Sequence, residues 1–130
     1  MHELAIAQSI VEAVETRARD CNAARVKSVR LKLGEGSGVV TDSLSFCFEK
    51  LASMSSVLEG AQLLIDHVPH RACCRYCDKE FAVQNFVAQC PICQEWSDEI
   101  ISGTELQIVE MEIESASRAS APEVGRSDFG

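Results

Sequence analysis

The sequence lacks several features that would assign it to common functional classes. No apolar run approaches the roughly 18 residues of a membrane-spanning helix. The chain begins Met1-His2-Glu3 without a basic segment and an apolar one behind it, so we expect no secretory signal. Lysine and arginine number 12 against 20 aspartates and glutamates. The net charge of −8 argues against a nucleic-acid-binding or anionic-membrane surface.

Motifs of catalysis and phosphate binding are also missing. The glycine-rich stretch at residues 34–38 has no Lys-Ser/Thr of a P-loop, and no nucleophile–base pair is evident. We therefore expect a protein that is not an enzyme. Cysteine, in contrast, is abundant, with seven residues. Without an export signal we expect a cytoplasmic location and reduced thiols, which favours metal binding over disulfides.

Four cysteines form two C-x-x-C pairs, Cys74 with Cys77 and Cys90 with Cys93, and twelve residues separate the pairs. Each pair makes a tight turn, and two turns close a tetrahedral shell with Zn–S bonds of about 2.3 Å. Because such a shell has no open position, the pattern predicts a structural Zn(II) site. Iron in the same tetrad and ordinary buried thiols are alternatives. Cys73 could substitute for Cys74, although the x-x spacing favours Cys74.

The first three residues form a second candidate metal site. Met1 offers an amine, His2 offers an amide and an imidazole, and Glu3 offers an amide or a carboxylate. Fused chelate rings of this kind favour square-planar nitrogen ligation, which suits Ni²⁺ or Cu²⁺ better than Zn²⁺. A solvated terminal histidine is the alternative interpretation. His67 and His70 are most simply loop histidines, although they could ligate a metal or sense pH.

Hydrophobic periodicity predicts the order helix, strand, helix, strand, cysteine module, strand. We expect an α+β fold in which two helices cover one face of a small mixed β-sheet, with an inserted zinc-ribbon-like module that carries the four paired cysteines. Residues 1–69 and 104–114 would form one domain and residues 70–103 the zinc-binding domain. The helices are expected at 4–21 and 41–54, and the strands outside the cysteine module at 25–33, 61–68 and 104–114. Residues 115–130 are rich in small and polar residues and predict a disordered tail.

Two cysteines outside the pairs, Cys21 and Cys47, fall on the apolar faces of the predicted helices. The simplest interpretation is that both are small core hydrophobes. They are therefore not included in either candidate metal site.

In combination, these features resemble the HypA/HybF family of nickel metallochaperones for nickel–iron hydrogenase maturation. The resemblance rests on Met1-His2-Glu3, the first helix, the stretch Leu44-Ser45-Phe46-Cys47-Phe48-Glu49, the cysteine quartet and the closing strand, in this order over residues 1–114. The glycine-rich loop at 34–38 and the extra thiol of Cys73 depart from the family pattern.

The resemblance implies that Met1, His2 and Glu3 bind Ni(II) as transported cargo and that Cys74, Cys77, Cys90 and Cys93 hold structural Zn(II). It also implies a partner GTPase, HypB, and delivery of nickel to the hydrogenase large subunit, and some family members also serve urease. The alternative is a zinc-ribbon adaptor that binds proteins without specific nickel binding.

Overall fold

The computed structural model describes residues 2–115. Met1 and the predicted tail beyond Ser115 lie outside the described residues. Residues 2–115 form two helices, α1 (Glu3–Asp20) and α2 (Thr41–Ala52), and six strands, namely β1 (Ala23–Gly34), β2 (Gln62–Val68), β3 (Arg71–Cys74), β4 (Lys79–Ala82), β5 (Ile100–Ser102) and β6 (Leu106–Ser115). No helix of this part of the chain is long and apolar enough to cross a membrane.

The strands form two three-stranded sheets. One has the order β2-β1-β6 and contains the three strands that the sequence predicts. The other has the order β4-β3-β5, and β3 pairs with both neighbours in antiparallel register. These short strands lie within the cysteine module, to which the sequence pattern assigns no strands. Two helices with two small sheets confirm the predicted α+β class.

Both helices bury one apolar face, as the spacing of three and four residues requires. The buried positions of α1 are Glu3, Ala7, Ile10, Val11, Val14 and Ala18, and those of α2 are Leu44, Phe48 and Ala52. The two helices pack against each other. Phe48 is fully buried, and removing such a side chain from water contributes about 1.5–3 kcal/mol to folding.

Two residues near the ends of α1, Leu4 and Cys21, are not in this core. Leu4 is exposed in the first turn. Cys21 is also exposed, because it is the C-cap residue and lies beyond the last turn of α1. The prediction that Cys21 is a core residue was therefore wrong, whereas Cys47 is half-buried within α2.

The chain divides into two compact units. The first contains both helices and β6 from Ile108 onward, and the second contains Leu31–Val39 and Ile65–Gln107. The predicted boundaries, residues 1–69 with 104–114 against residues 70–103, stay a prediction. The second unit includes the cysteine module together with the glycine-rich loop that follows β1.

Close packing in the second unit explains part of the glycine content of this loop. A Cβ atom added to Gly36 would collide with the imidazole of His70, and one added to Gly34 would collide with the backbone of Gly103. The backbone N–H of Gly36 donates to the carbonyl of Gly103 at 2.7 Å. The loop is therefore glycine-rich because other backbone and an imidazole ring lie directly against it.

The stretch of chain that carries the cysteines has its two ends side by side. The hydroxyl of Ser102 donates a hydrogen bond to the carbonyl of Pro69 at 2.7 Å. Arg71 of β3 pairs with the same serine in the antiparallel ladder. The polypeptide therefore enters and leaves the cysteine module at nearly the same point.

Candidate metal sites

The structure brings together the four cysteines of the two C-x-x-C pairs. Cys74, Cys77, Cys90 and Cys93 have sulfur atoms that all lie within 4.8 Å of one another. The Sγ–Sγ distances are 3.5 Å between Cys74 and Cys93 and 3.9 Å between Cys77 and Cys90. A tetrahedron with Zn–S bonds of about 2.3 Å has edges of about 3.8 Å, so this arrangement fits a single zinc ion.

The two pairs have equivalent backbone geometry. The residue after each second cysteine, Asp78 or Gln94, has left-handed backbone with φ of 58° or 64°. Its N–H donates to the carbonyl of the first cysteine of the pair, at 2.7 Å for Cys74 and 2.9 Å for Cys90. A backbone N–H also points at the first sulfur in each pair, at 3.4 Å from Cys77 to Cys74 and from Ile92 to Cys90. Two matched turns therefore aim four sulfurs at one point.

A small apolar core supports the tetrad. Its buried members are Ala72, Cys74, Phe81, Val83 and Cys90. Within β3, Ala72 and Cys74 are buried and Cys73 between them is only half-buried, as the alternation of a strand requires. The tetrad therefore contains Cys74 and not Cys73.

Cys73 is held apart by its own contacts. Its backbone N–H donates to the carbonyl of Glu99, and its carbonyl accepts a hydrogen bond from the hydroxyl of Ser97 at 2.6 Å. Burial and the negative charges of neighbouring acidic residues, Glu99 first among them, raise the pKa of the Cys73 thiol. The thiol of Cys73 is not among the four that lie within 4.8 Å of one another.

The tetrad cannot hold four negative charges by itself. Hydrogen bonds from the backbone N–H groups of Cys93 and Ile92 lower the pKa of Cys90 to about 6. The neighbouring sulfur of Cys93, together with burial, raises the pKa of Cys77 to about 12. Four thiolates this close together repel one another, so a complete thiolate shell requires a cation at its centre.

The N-terminal candidate site is described in part, because Met1 lies outside the described residues. His2 is exposed and is the N-cap residue of α1. Its carbonyl accepts the N–H of Ile6 at 3.0 Å, which begins the helix. The backbone of His2 is therefore ordered by α1 while its imidazole faces solvent.

Glu3 has a different environment from His2. Its side chain is only 7% exposed, and its Oε2 accepts the backbone N–H of Val40 at 2.9 Å. Val40 is the N-cap residue of α2 and has no side-chain cap of its own. The hydrogen bond from Val40 lowers the pKa of the Glu3 carboxyl. A buried carboxylate thus lies at the N-terminus of α2, where the helix dipole favours negative charge.

The sequence pattern did not predict this role of the Glu3 side chain. A capping box places a glutamate on the N-cap N–H of its own helix, three residues away. Here the acceptor comes from another helix, 37 residues away in sequence. The local pattern contains no signal for such a contact.

The two histidines near the module do not join the tetrad. His67 is exposed, and His70 is half-buried against Gly36 with its ring 6.3 Å from that of Phe86 in an edge-to-face arrangement. Among residues 2–115, the group of His, Cys, Asp and Glu side chains close enough to share a metal ion is the cysteine quartet. His70 therefore has a packing role in the second unit.

These features define a small α+β protein with a cysteine tetrad that fits a metal ion and with an exposed histidine at the start of its first helix. Comparison with known proteins assigns it more narrowly. Residues 1–113 match the family model described as "Hydrogenase/urease nickel incorporation, metallochaperone, hypA", and the chain belongs to this family.

Curated relatives and solved structures agree with this assignment. The chain is 43% identical to the hydrogenase maturation factor HypA of Geobacter metallireducens, over 88% of this chain and 100% of that protein. It is 46% identical to that of Streptomyces avermitilis, over 84% of each chain. The solution structure of the Ni metallochaperone HypA from Helicobacter pylori has a similar fold, with a TM-score of 0.63 at 23% identity over 88% of this chain and 99% of that one.

Family membership decides between the functional classes that the sequence left open. The family is one of nickel metallochaperones, so the protein is not an enzyme. It acts in the incorporation of nickel into hydrogenase or urease. The alternative of a zinc-ribbon adaptor without a role in nickel handling is not favoured.

Proposed function

We propose that this metallochaperone binds Ni(II) through Met1, His2 and Glu3 and that the cysteine tetrad holds a permanent Zn(II). The nickel site is supported by one observation, namely that the side chains of His2 and Glu3 have different environments. The imidazole of His2 faces solvent at the N-cap of α1, whereas the carboxylate of Glu3 is buried on the N-terminus of α2.

This difference favours nitrogen ligands from the backbone. The first four N–H groups of a helix have no partner within the helix, and the amide of Glu3 belongs to this set because α1 begins at Glu3. The amides of His2 and Glu3 can therefore lose their protons to a metal without breaking a hydrogen bond of the helix ladder. With its carboxylate engaged by Val40, Glu3 would contribute its amide nitrogen.

The resulting donor set consists of the Met1 amine, the two amides and the imidazole of His2. Four nitrogens in fused chelate rings suit the square-planar preference of Ni(II). Proton release from the amides makes such binding weaker in acid. The first turn of a helix also opens at low cost, which permits release to an acceptor.

The zinc proposal rests on the fit of the tetrad. Two of the Sγ–Sγ distances, 3.5 and 3.9 Å, lie close to the edge of a zinc–thiolate tetrahedron, and all four sulfurs lie within 4.8 Å of one another. A closed shell of this kind would contribute its binding free energy to folding of the module and would take no part in nickel exchange.

The family assignment supports the finer partners. We propose that the chain works in the cytoplasm with the GTPase HypB and delivers nickel to the large subunit of nickel–iron hydrogenase. Relatives are named hydrogenase maturation factors, which supports hydrogenase as the acceptor. Maturation proteins of urease are a second set of partners consistent with the family description.

Calorimetric titration of the untagged, zinc-loaded chain with Ni²⁺ tests the nickel site. We expect one Ni²⁺ per chain for the wild type and loss of this binding in His2→Ala. The matched control is His67→Ala, because His67 is exposed like His2 but lies outside the proposed site. This variant should titrate like the wild type. If His2→Ala keeps wild-type nickel binding, the proposed site is wrong. Zinc content and circular dichroism of the variant show that the fold is retained.

A further inference from the structure

Strand β6 is an open edge of its sheet. It pairs with β1, and no strand within residues 2–115 lies on its other side. Edge strands of monomeric proteins are usually short, interrupted by proline or covered. β6 has ten residues and no proline, and Ile108 and Val109 are 39% and 46% exposed. Its outer edge is therefore available for pairing with another extended chain.

An apolar groove of about 520 Å³ runs beside this strand, between α1 and β6. Val14 of α1 lies on one wall, and Val109, Met111 and Ile113 of β6 lie on the other. Residues two apart in a strand share a face, so these three β6 side chains form one apolar row. The groove can accept side chains from a strand added at the β6 edge.

The alternate residues of β6 are acidic. Glu110, Glu112 and Glu114 come between the residues of the apolar row. Glu110 lies 3.6 Å from Arg30, and Glu112 lies 3.8 Å from Lys27, in exposed pairs. Exposed pairs of this type contribute little to stability, so the glutamates can also face cations of an added strand.

We propose that β6 is a docking edge for an extended segment of a partner protein in which apolar residues alternate with lysine or arginine. The segment would add as a fourth strand beside β6. Its apolar side chains would enter the groove against Val14 and Met111, and its basic side chains would lie beside the glutamate row. This is strand addition, in which backbone hydrogen bonds give affinity and alternate side chains give specificity.

The charge pattern argues against a second copy of this chain at the same edge. Pairing β6 with β6 would bring the glutamate row of one copy beside that of the other, and like charges on neighbouring strands are destabilising. The net charge of −8 acts in the same direction. A basic partner avoids both penalties.

The test uses the zinc-loaded full chain and two synthetic peptides. One alternates valine with lysine over ten residues, and the other has the same composition with the valines in one block and the lysines in another. We expect the alternating peptide to shift backbone amide resonances of residues 108–114, while those of β2, the other edge strand, stay unchanged. The block peptide should bind at least roughly tenfold more weakly, because its residues cannot match both rows.

Variants test whether the glutamates of β6 bind the peptide specifically or whether the overall negative charge of the protein attracts it. Glu112→Gln with Glu114→Gln should weaken binding of the alternating peptide by roughly tenfold. Glu12→Gln with Glu59→Gln removes the same charge from other exposed positions and should leave binding nearly unchanged. Met111→Glu should weaken binding by placing a charge in the groove.

Three outcomes would overturn the proposal. The first is the absence of shifts in β6 at millimolar peptide, and the second is equal binding of the two peptides. The third is a concentration-dependent dimer, detected by sedimentation, whose interface broadens the β6 resonances. That result would make a second copy the occupant.

Discussion

The carboxylate of Glu3 accepts the backbone N–H of Val40 at 2.9 Å and joins the first residue of α1 to the residue before α2. The N-terminal segment is therefore anchored to the first compact unit at its third residue. Residues 2 and 3 consequently have separate tasks. His2 is available to a metal, and the side chain of Glu3 fixes the helix that presents it.

We predict that Glu3→Gln lowers the melting temperature by several degrees at pH 7. The Glu3 carboxyl has a pKa below its ordinary value of 4.5, so its ionised form stabilises the fold above about pH 4.5, and this contribution is lost as the pH falls through the lowered pKa. The difference between wild type and variant should therefore shrink below pH 4.5. Thermal melts at a series of pH values measure it. Glu12→Gln, an exposed position of α1, is the control, and an equal effect there would remove the basis of this prediction.

We predict that an extension of two residues before Met1 abolishes stoichiometric nickel binding while zinc content is retained. The extension converts the terminal amine into an amide at a shifted position and breaks the proposed chelate. Nickel titration of the extended protein, before and after proteolytic removal of the extension, provides the comparison. Recovery of binding after removal is expected, and full binding by the extended protein would exclude the amine as a ligand.

We predict that Cys77→Ser reduces bound zinc from one per chain to nearly none and unfolds the module. Cys73→Ser should keep the zinc, since Cys73 lies outside the tetrad. Elemental analysis gives the stoichiometry, and amide hydrogen exchange of residues 71–102 reports the fold. Chelation of zinc from the wild type should reproduce the Cys77→Ser exchange pattern. A zinc-free Cys73→Ser protein would mean that the tetrad is assigned wrongly.

We predict that Gly36→Ala destabilises the second unit by about 1–3 kcal/mol, the usual cost of overpacking. The added methyl group collides with the imidazole of His70. His70→Ala alone should cost less, and the double variant should recover part of the loss of Gly36→Ala, which a double-mutant cycle in urea measures. Additive effects of the two substitutions would show that the added methyl group is accommodated by movement of residues other than His70.

The sequence predicted the features that follow from local periodicity and spacing. The first helix was expected at 4–21 and lies at Glu3–Asp20, and the strand expected at 61–68 lies at Gln62–Val68. The preference for Cys74 over Cys73 followed from the x-x spacing and agrees with the tetrad that the structure forms. Such features depend on neighbours within a few residues, which the sequence displays directly.

Features that depend on distant contacts could not be predicted in this way. Cys21 fits the apolar period of α1, yet it is exposed because the helix ends one residue earlier. The burial of Glu3 depends on Val40, which only the fold brings near. The collision that keeps Gly36 free of a side chain depends on the position of His70. The deciding feature is the end of a helix in the first case and a contact with a residue far along the chain in the other two. Neither is visible in the local sequence pattern.

The hydrogen bond between Ser102 and Pro69 has an evolutionary consequence. Because the chain leaves and returns at one point, residues can be gained or lost between these two positions without changing the register of β2 or β6. Differences in length among relatives are therefore expected to concentrate within residues 70–101. The stretch that carries the cysteines can then vary in length while the two helices keep theirs.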